Sequence, residues 1–369
     1  MQTQFIMVED GGTIELAAGK VELNASLWMD DKKNVTIKGM GMDKTILSFK
    51  NQKEGAEGIK ITNSKNITIE GLTVQNAKGD AIKTQMVDGI NFLKVKTEWT
   101  GRPKKTNGAY GLYPVQCSNV LIDGCEAVGA SDAGIYVGQS DRIVVRNSRA
   151  YKNVAGIEIE NSTNADVYNC EAINNTGGIL VFDLPGLIKK RGGNVRVYDN
   201  KIIENNYKNF APPGNTVGTI PPGSGIIVLA TSDVEIFNNE VRNNKSVGAT
   251  VISYYLTETP WDDDEYDPYP SRISIHDNSF VRKRKMPGVQ KRMGKLLFLK
   301  FGKKVPDIIV DGIYAEESLT PDGRLKTTHE ICIKNNGNAT FANLDASNDF
   351  KNLTRDRSHF DCEREQLVP

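Results

Sequence analysis

The chain has 369 residues, with 46 Lys and Arg against 46 Asp and Glu and a formal net charge of zero. That balance argues against a nucleic-acid-binding protein, which carries a basic excess, and no apolar run approaches the ~20 residues that span a bilayer. A chain of this length makes two or three globular domains unless it repeats.

It does repeat. Gly12-Thr13-Ile14-Glu15-Leu16 and Gly19-Lys20-Val21-Glu22-Leu23 open the chain, and residues 1–33 are expected to cap the first turn. From there a phrase of small residues and an aliphatic recurs: Glu57-Gly58-Ile59, Asp80-Ala81-Ile82, Tyr110-Gly111-Leu112, Ala133-Gly134-Ile135, Ala155-Gly156-Ile157, Gly177-Gly178-Ile179 and Ser224-Gly225-Ile226. Its central residues are spaced 23, 30, 23, 22, 22 and 47 apart, the last about two periods. A period near 22 with short strands between Asn and Gly turns is the mark of a solenoid.

A second strand runs in step with the first, as in Val120/Ile122, Ile143/Val145, Ala165/Val167 and Val195/Val197. Such strands end in Gly71, Gly124, Asn147, Asn169, Asp199, Asn238 and Asp277, residue types that tolerate a left-handed backbone. No coil this small can bury its apolar face alone. Stacking about ten coils over residues 34–314 would place Ile59, Ile82, Leu112, Ile135, Ile157, Ile179 and Ile226 on one inward ladder.

Extra residues in a solenoid go to loops on its faces. Insertions at about 96–107, 183–193, 207–223 and 253–271 break the period. The first and third precede a phrase strand and the other two follow one, so they are expected to wall a groove along a single sheet. Trp99, Tyr207, Phe210, Tyr254, Trp261 and Tyr266 lie in them and offer faces for sugar rings. Alternation within the strand turns Lys60, Lys83, Tyr113, Tyr136, Glu158 and Leu180 outward as the groove floor. Glu160 and Phe182 follow two residues further on.

The repeat over about residues 34–312 resembles the right-handed parallel β-helix superfamily. That group includes pectate lyases, polygalacturonases, alginate lyases and epimerases, and copper-accessory periplasmic proteins. Two stretches, Ser131-Asp132-Ala133-Gly134-Ile135-Tyr136-Val137-Gly138-Gln139-Ser140 and Glu330-Ile331-Cys332-Ile333-Lys334-Asn335-Asn336-Gly337, are similar to a family of secreted bacterial β-helix proteins of poorly settled function. The expected fold is an all-β, right-handed, single-stranded parallel β-helix with a cap at each end, the second over residues 315–369. The resemblance implies a secreted or periplasmic protein whose leader has been removed, although Met1-Gln2-Thr3-Gln4 shows neither a basic n-region nor an apolar core.

The chemistry implied is action on an anionic, uronic-acid polysaccharide, foremost by β-elimination. That reaction needs a neutraliser for the sugar carboxylate, a base and an acid. Lys83, Tyr113, Tyr136 and Glu158 are the catalytic candidates. Lys60, Arg102, Lys104, Asn107, Trp99, Phe182 and Tyr254 are candidates for holding substrate. A phenol ionises near pH 10, so a tyrosine base needs cationic neighbours. Tyr110-Gly111-Leu112-Tyr113-Pro114-Val115 matches a Tyr-Gly-Phe-Asp-Pro-His tract of mannuronan epimerases at Tyr110, Gly111 and Pro114. Tyr113 replaces its acid and Val115 its histidine, which disfavours epimerisation.

Two further readings stand beside the lyase. Glu158 and Glu160, both outward and about 7 Å apart, fit an inverting hydrolase pair, although the paired aspartates and Gly-His-Gly of polygalacturonases are missing. A binding or periplasmic accessory protein would keep the aromatic loops without the catalytic strip, while the absence of Met/His clusters disfavours copper. Asp132, Glu158, Glu160 and Asp183 could take calcium through oxygen ligands, as could the acidic loop Asp262–Asp267.

Cys125 and Cys170 share one inward position two coils apart, beyond disulfide reach, and are expected as buried thiols. Cys332 and Cys362 lie in the C-terminal cap and are open to pairing, which would favour an oxidising compartment. The basic stretches Arg282-Lys283-Arg284-Lys285 and Lys291-Arg292 read as a solvated face.

Overall fold

The structure is a computed structural model that describes residues 1–283 and 285–368. Its strands fall into two sheets in which each strand lies parallel to its counterpart one coil away. Eleven form the first sheet: Ala25–Asp30, Glu54–Thr62, Ile82–Gln85, Tyr110–Val115, Ala133–Gly138, Ala155–Glu160, Gly177–Phe182, Ser224–Leu229, Val247–Ile252, Ile308–Val310 and Phe341–Asn343. The other nineteen form a second sheet that bends at the left-handed corners. The chain is thus a parallel β-helix, as the repeat requires.

The stack is longer than the phrase suggests. Its first strand lies inside the segment read as an N-terminal cap and its last inside the C-terminal one. There Leu27 pairs with Ile59 and Ile308 with Phe341. Parallel pairing needs a backbone ladder and one inward apolar side chain per strand, and neither depends on the Gly-Ile phrase.

The inward ladder forms in register from Ile59 through Ile82, Leu112, Ile135, Ile157 and Ile179 to Ile226. All seven side chains are fully buried. The corner residues Gly71, Gly124, Asn147, Asn169, Asp199, Asn238 and Asp277 all have φ between 51° and 64°. Immediately after these corners runs a column the sequence reading passed over. Cys170 N donates to Asn200 Oδ1, Asn200 N to Asn239, Asn239 N to Asn278 and Asn278 N to Asn336. A second such column links Ala130, Asn153, Asn175, Asn205 and Asn244. Each amide satisfies buried backbone groups at a turn where the sheet ladder is interrupted.

Asn175 sits mid-column, accepting from Asn153 N at 3.0 Å and donating to Ala150 O at 2.9 Å. Asn175→Ala strands both groups in a dry interior. The expected loss is about 3 kcal/mol, read as a lower urea midpoint.

Cys117, Cys125 and Cys170 are buried free thiols, and Ser148, whose hydroxyl accepts from Cys125 N, separates the last two. Cys332 and Cys362 are disulfide-bonded. The chain then runs back over the second sheet, where Arg196 donates to Leu367 O and Leu367 N to Glu235. Helix α1, Gln2–Met7, seats the buried Phe5 at the opening of the stack. Helix α2, Arg292–Phe301, was not expected, because its basic sequence hides an apolar stripe of Gly294, Leu297 and Phe301 at helical spacing.

Candidate functional site

The outward column forms in the expected register: Lys60 beside Lys83, Lys83 beside Tyr113, Tyr136 beside Glu158, and Glu158 beside Leu180. It does not form the floor of one open groove. Lys60, Lys83 and Tyr113 are half-buried, while Tyr136 is 4% and Glu158 2% exposed. Segments 207–223 and 253–271 fold over the sheet instead of walling it. Val217, Ile220, Tyr254 and Tyr266 pack on Leu180, Phe182, Ile227 and Leu229 in a second apolar cluster. Those outward residues of the later coils are themselves apolar, and covering them recovers about 25 cal/mol per Å².

Several expected contacts change with that cover. Trp99 is buried in the main core and its indole donates to Ala77 O at 2.7 Å, so it anchors a loop and offers no face to a sugar. Phe182 and Tyr254 are interior members of the second cluster. Asn107 is spent on Gly129 O at 2.7 Å. Arg102 and Lys104 remain exposed on the loop that leads into strand Tyr110–Val115. Beyond the covered stretch the same face opens into an apolar cavity of about 570 Å³ between Ile227, Thr250, Ile252 and α2.

Under the cover lies a cluster of phenols and acids. The rings of Tyr110, Tyr113 and Tyr136 meet with centroids 4.4–5.0 Å apart. Tyr136 lies over Gly138, where a Cβ would come within 2.2 Å of the phenol oxygen. Because Gly138 leaves that space, the Tyr136 hydroxyl reaches Glu160 Oε1 at 2.5 Å. Asn215 crosses from the covering loop to donate to Asp132 at 2.5 Å, and Tyr266 donates to Asp183 O at 2.7 Å. Among the described residues, Glu158 Oε2 and Asp183 Oδ1 have no hydrogen-bond partner.

Burial dominates the titration of this cluster. It pushes Asp132 and Glu160 up to about 7 against the hydrogen bonds from Asn215 and Tyr136, and Asp183 to about 7 against that from Gly192 N. Glu158 goes well above the carboxylate range, with Glu160 and Asp132 adding like charge. Burial also raises Tyr113, helped by Asp80 and Glu160, and Tyr136, helped by Glu160. These phenols hold their protons. Neither is a base near neutrality, although Lys83 lies 4.9 Å from the Tyr113 ring centroid.

Tyr136 and Glu158 therefore lie behind a lid of side chains, while Lys83 and Tyr113, whose ring touches that of Tyr136, stay half-buried at its edge. The same burial removes the Glu158/Glu160 pair from any polymer outside, which overturns the hydrolase arrangement. Nor do the four acids make a ready cation cage. Among the described residues, no three of Asp132, Glu158, Glu160 and Asp183 bring carboxylate oxygens within 4.8 Å of one another. In the acidic loop, Asp263 is paired with Lys190 at 2.9 Å.

One acid was overlooked. Asp80 is half-buried beside Lys83, accepts from Tyr110 N at 3.3 Å, and is raised to about 6 by burial against the pull of Lys83. It stands in the turn before strand Ile82–Gln85, where the two-residue alternation that located the column does not apply. The signal available was its place as first residue of the repeated phrase, the place Tyr110 holds one coil on.

Comparison with known proteins gives two family-model matches: a right-handed β-helix region over residues 103–256 and a periplasmic copper-binding protein, NosD, over residues 16–176. No curated protein sequence matches. Among solved structures, the chain is similar to the A-module of the Azotobacter vinelandii mannuronan C-5 epimerase AlgE4. The two share 14% identity over 81% of this chain and 85% of that one, with a TM-score of 0.50. The bacteriophage Phi29 gene product 12 N-terminal fragment matches at 13% identity over 88% and 57%, TM-score 0.50. An alginate lyase from Paenibacillus sp. str. FPU-7 matches at 14% over 75% and 91%, TM-score 0.49.

Proposed function

We propose that this chain, which belongs to the right-handed parallel β-helix superfamily, cleaves an anionic uronic-acid polysaccharide by β-elimination at the uncovered end of its first sheet. One observation carries the reading: the carboxyl of Asp80, the amine of Lys83 and the phenol of Tyr113 lie together, half-buried. Lys83 and Lys60 neutralise the sugar carboxylate, which stabilises the enediolate as the α-proton leaves. Asp80, ionised at pH 7 yet more basic than an ordinary carboxylate, takes that proton. Tyr113, which keeps its proton, donates it to the departing glycosidic oxygen. The bond to that oxygen breaks as the ring double bond forms. Exposed Arg102 and Lys104 extend the cationic track.

The Cys332–Cys362 disulfide supports an oxidising, secreted or periplasmic setting, as does the periplasmic family model. That model also favours a second reading, a periplasmic accessory protein. Copper itself does not fit: among the described residues the one cluster of three potential ligands is Glu330 with the disulfide-bonded Cys332 and Cys362, and no histidine joins such a group.

A panel of uronic-acid polymers separates the readings. The lyase gives new ultraviolet absorbance from the unsaturated product with at least one polymer, and Lys83→Gln raises KM and lowers turnover. Gel retardation by the polymer with no absorbance and no new reducing ends means a binding protein.

A further inference from the structure

Between Val281 and Lys304 the sequence holds ten Lys and Arg and no Asp or Glu. The remainder of this neutral chain is therefore ten acidic residues in excess, and the positive charge is gathered in one place. Lys283, Lys285, Lys295, Lys303 and Lys304 are exposed, and none forms an ion pair among the described residues. Arg292 is paired with Glu258. Arg282 is paired with Asp307, and Lys245, on the neighbouring coil, has its ammonium held below the usual range by burial and then by Lys285.

The same segment exposes large apolar side chains. On α2, Leu299 is 80% exposed opposite the buried stripe of Gly294, Leu297 and Phe301, and Phe298 is 37% exposed at the edge of that stripe. Met286 is 45% exposed, and it precedes Gly288, whose carbonyl packs so closely on Gly294 that a Cβ there would lie 2.0 Å away. The Met286 turn and α2 are therefore fastened side by side. A hydrophilic polyanion would use the lysines but has nothing to receive Leu299, Phe298 and Met286. Apolar side chains ringed by unpaired lysines match a surface with anionic headgroups above an acyl layer.

We infer that α2 and the preceding basic turn dock this protein on an anionic lipid surface, with Leu299 and Met286 entering the headgroup boundary and the lysines meeting phosphate. No helix of the described chain is long and apolar enough to cross a membrane, so the contact is peripheral.

Sedimentation of the full chain with vesicles tests this. Binding is expected with phosphatidylcholine–phosphatidylglycerol vesicles, not with phosphatidylcholine alone, and should weaken with salt. Leu299→Asp with Met286→Asp should cut partitioning by about tenfold or more, as should Lys283→Glu with Lys285→Glu and Lys295→Glu. Lys83→Gln should bind vesicles as the parent does, which keeps this result separate from the active-site reading. No binding to anionic vesicles overturns the proposal. So does binding lost with the lysines but unchanged in Leu299→Asp/Met286→Asp. If a soluble polyuronate then competes for those lysines, the face binds polymer.

Discussion

Asp80→Asn is expected to lower turnover on the preferred polyuronate by about 10²–10⁴-fold, the usual contribution of a positioned general base, with KM little changed. The substitution keeps the shape and the acceptor for Tyr110 N but removes the basic oxygen. Lys83 stays in place, so the sugar carboxylate is still held. Initial rates of ultraviolet absorbance across pH supply a second readout. The parent should gain activity as Asp80 ionises through about 6, and Tyr113, held well above the ordinary phenol range by burial, should impose no loss in neutral or mildly alkaline solution. Full turnover in Asp80→Asn would move the base elsewhere and remove the mechanism proposed above.

The two tyrosines serve as a matched pair within that experiment. Tyr113→Phe should lower turnover because it deletes the proton donor at the open end of the column. Tyr136→Phe should leave turnover nearly intact and cost about 1–3 kcal/mol of stability instead, because it takes the 2.5 Å donor away from buried Glu160. Read from sequence alone, Tyr113 and Tyr136 are equivalent outward phenols and both are catalytic candidates. The difference between them comes from loops far along the chain, which bring Tyr254 and Tyr266 into the cluster that buries Tyr136 and Asn215 onto Asp132.

That pattern explains what could be read in advance. The ladder from Ile59 to Ile226 and the left-handed corners are local features repeated many times, and each copy constrains the next coil. The register of Lys60, Lys83, Tyr113, Tyr136 and Glu158 follows from period two within a strand. Coverage does not. Whether an insertion stands beside a sheet or folds onto it depends on matching apolar surfaces, here Ile220 and Tyr266 against Leu180 and Leu229, and no period encodes that match. Trp99 shows the same limit: an aromatic in an insertion is a platform or an anchor according to whether its indole finds a carbonyl, and Ala77 supplies one. Asp80 escaped because turns reset the alternation, and α2 because ten cations masked its apolar stripe.

Thermal stability should be greatest in mildly acidic solution and fall as pH rises through about 7. Asp132, Glu160 and Asp183 titrate near 4 when unfolded and at about 7 in the fold, so the native state binds more protons than the unfolded chain between those limits. The stability these groups contribute is complete below about pH 4 and is lost as pH passes their folded values. One shift of about three units corresponds to about 4 kcal/mol, and three such groups near one another share rather than multiply it. At the acid end, Asp30 and Asp88 are held below the usual range chiefly by hydrogen bonds from neighbouring side chains, and in Asp123 and Asp141 burial pushes upward but hydrogen bonds and nearby cations together outweigh it. Their contribution disappears as pH falls through those lowered values, which sets the lower limb. Buried Asp311, raised to about 7 under strand Val247–Ile252, adds slope of the same sign outside the cluster, so the parent curve alone does not isolate the site. Glu158→Gln does. It keeps the volume and adds no charge to a position whose Oε2 has no partner. Burial, with Glu160 and Asp132, keeps Glu158 protonated in the fold where the unfolded carboxyl ionises, so the variant should match the parent near pH 5 and melt several degrees higher near pH 8. Equal melting shifts for parent and variant across that range would mean that the acid cluster is not held dry beneath Tyr136 and the covering loops.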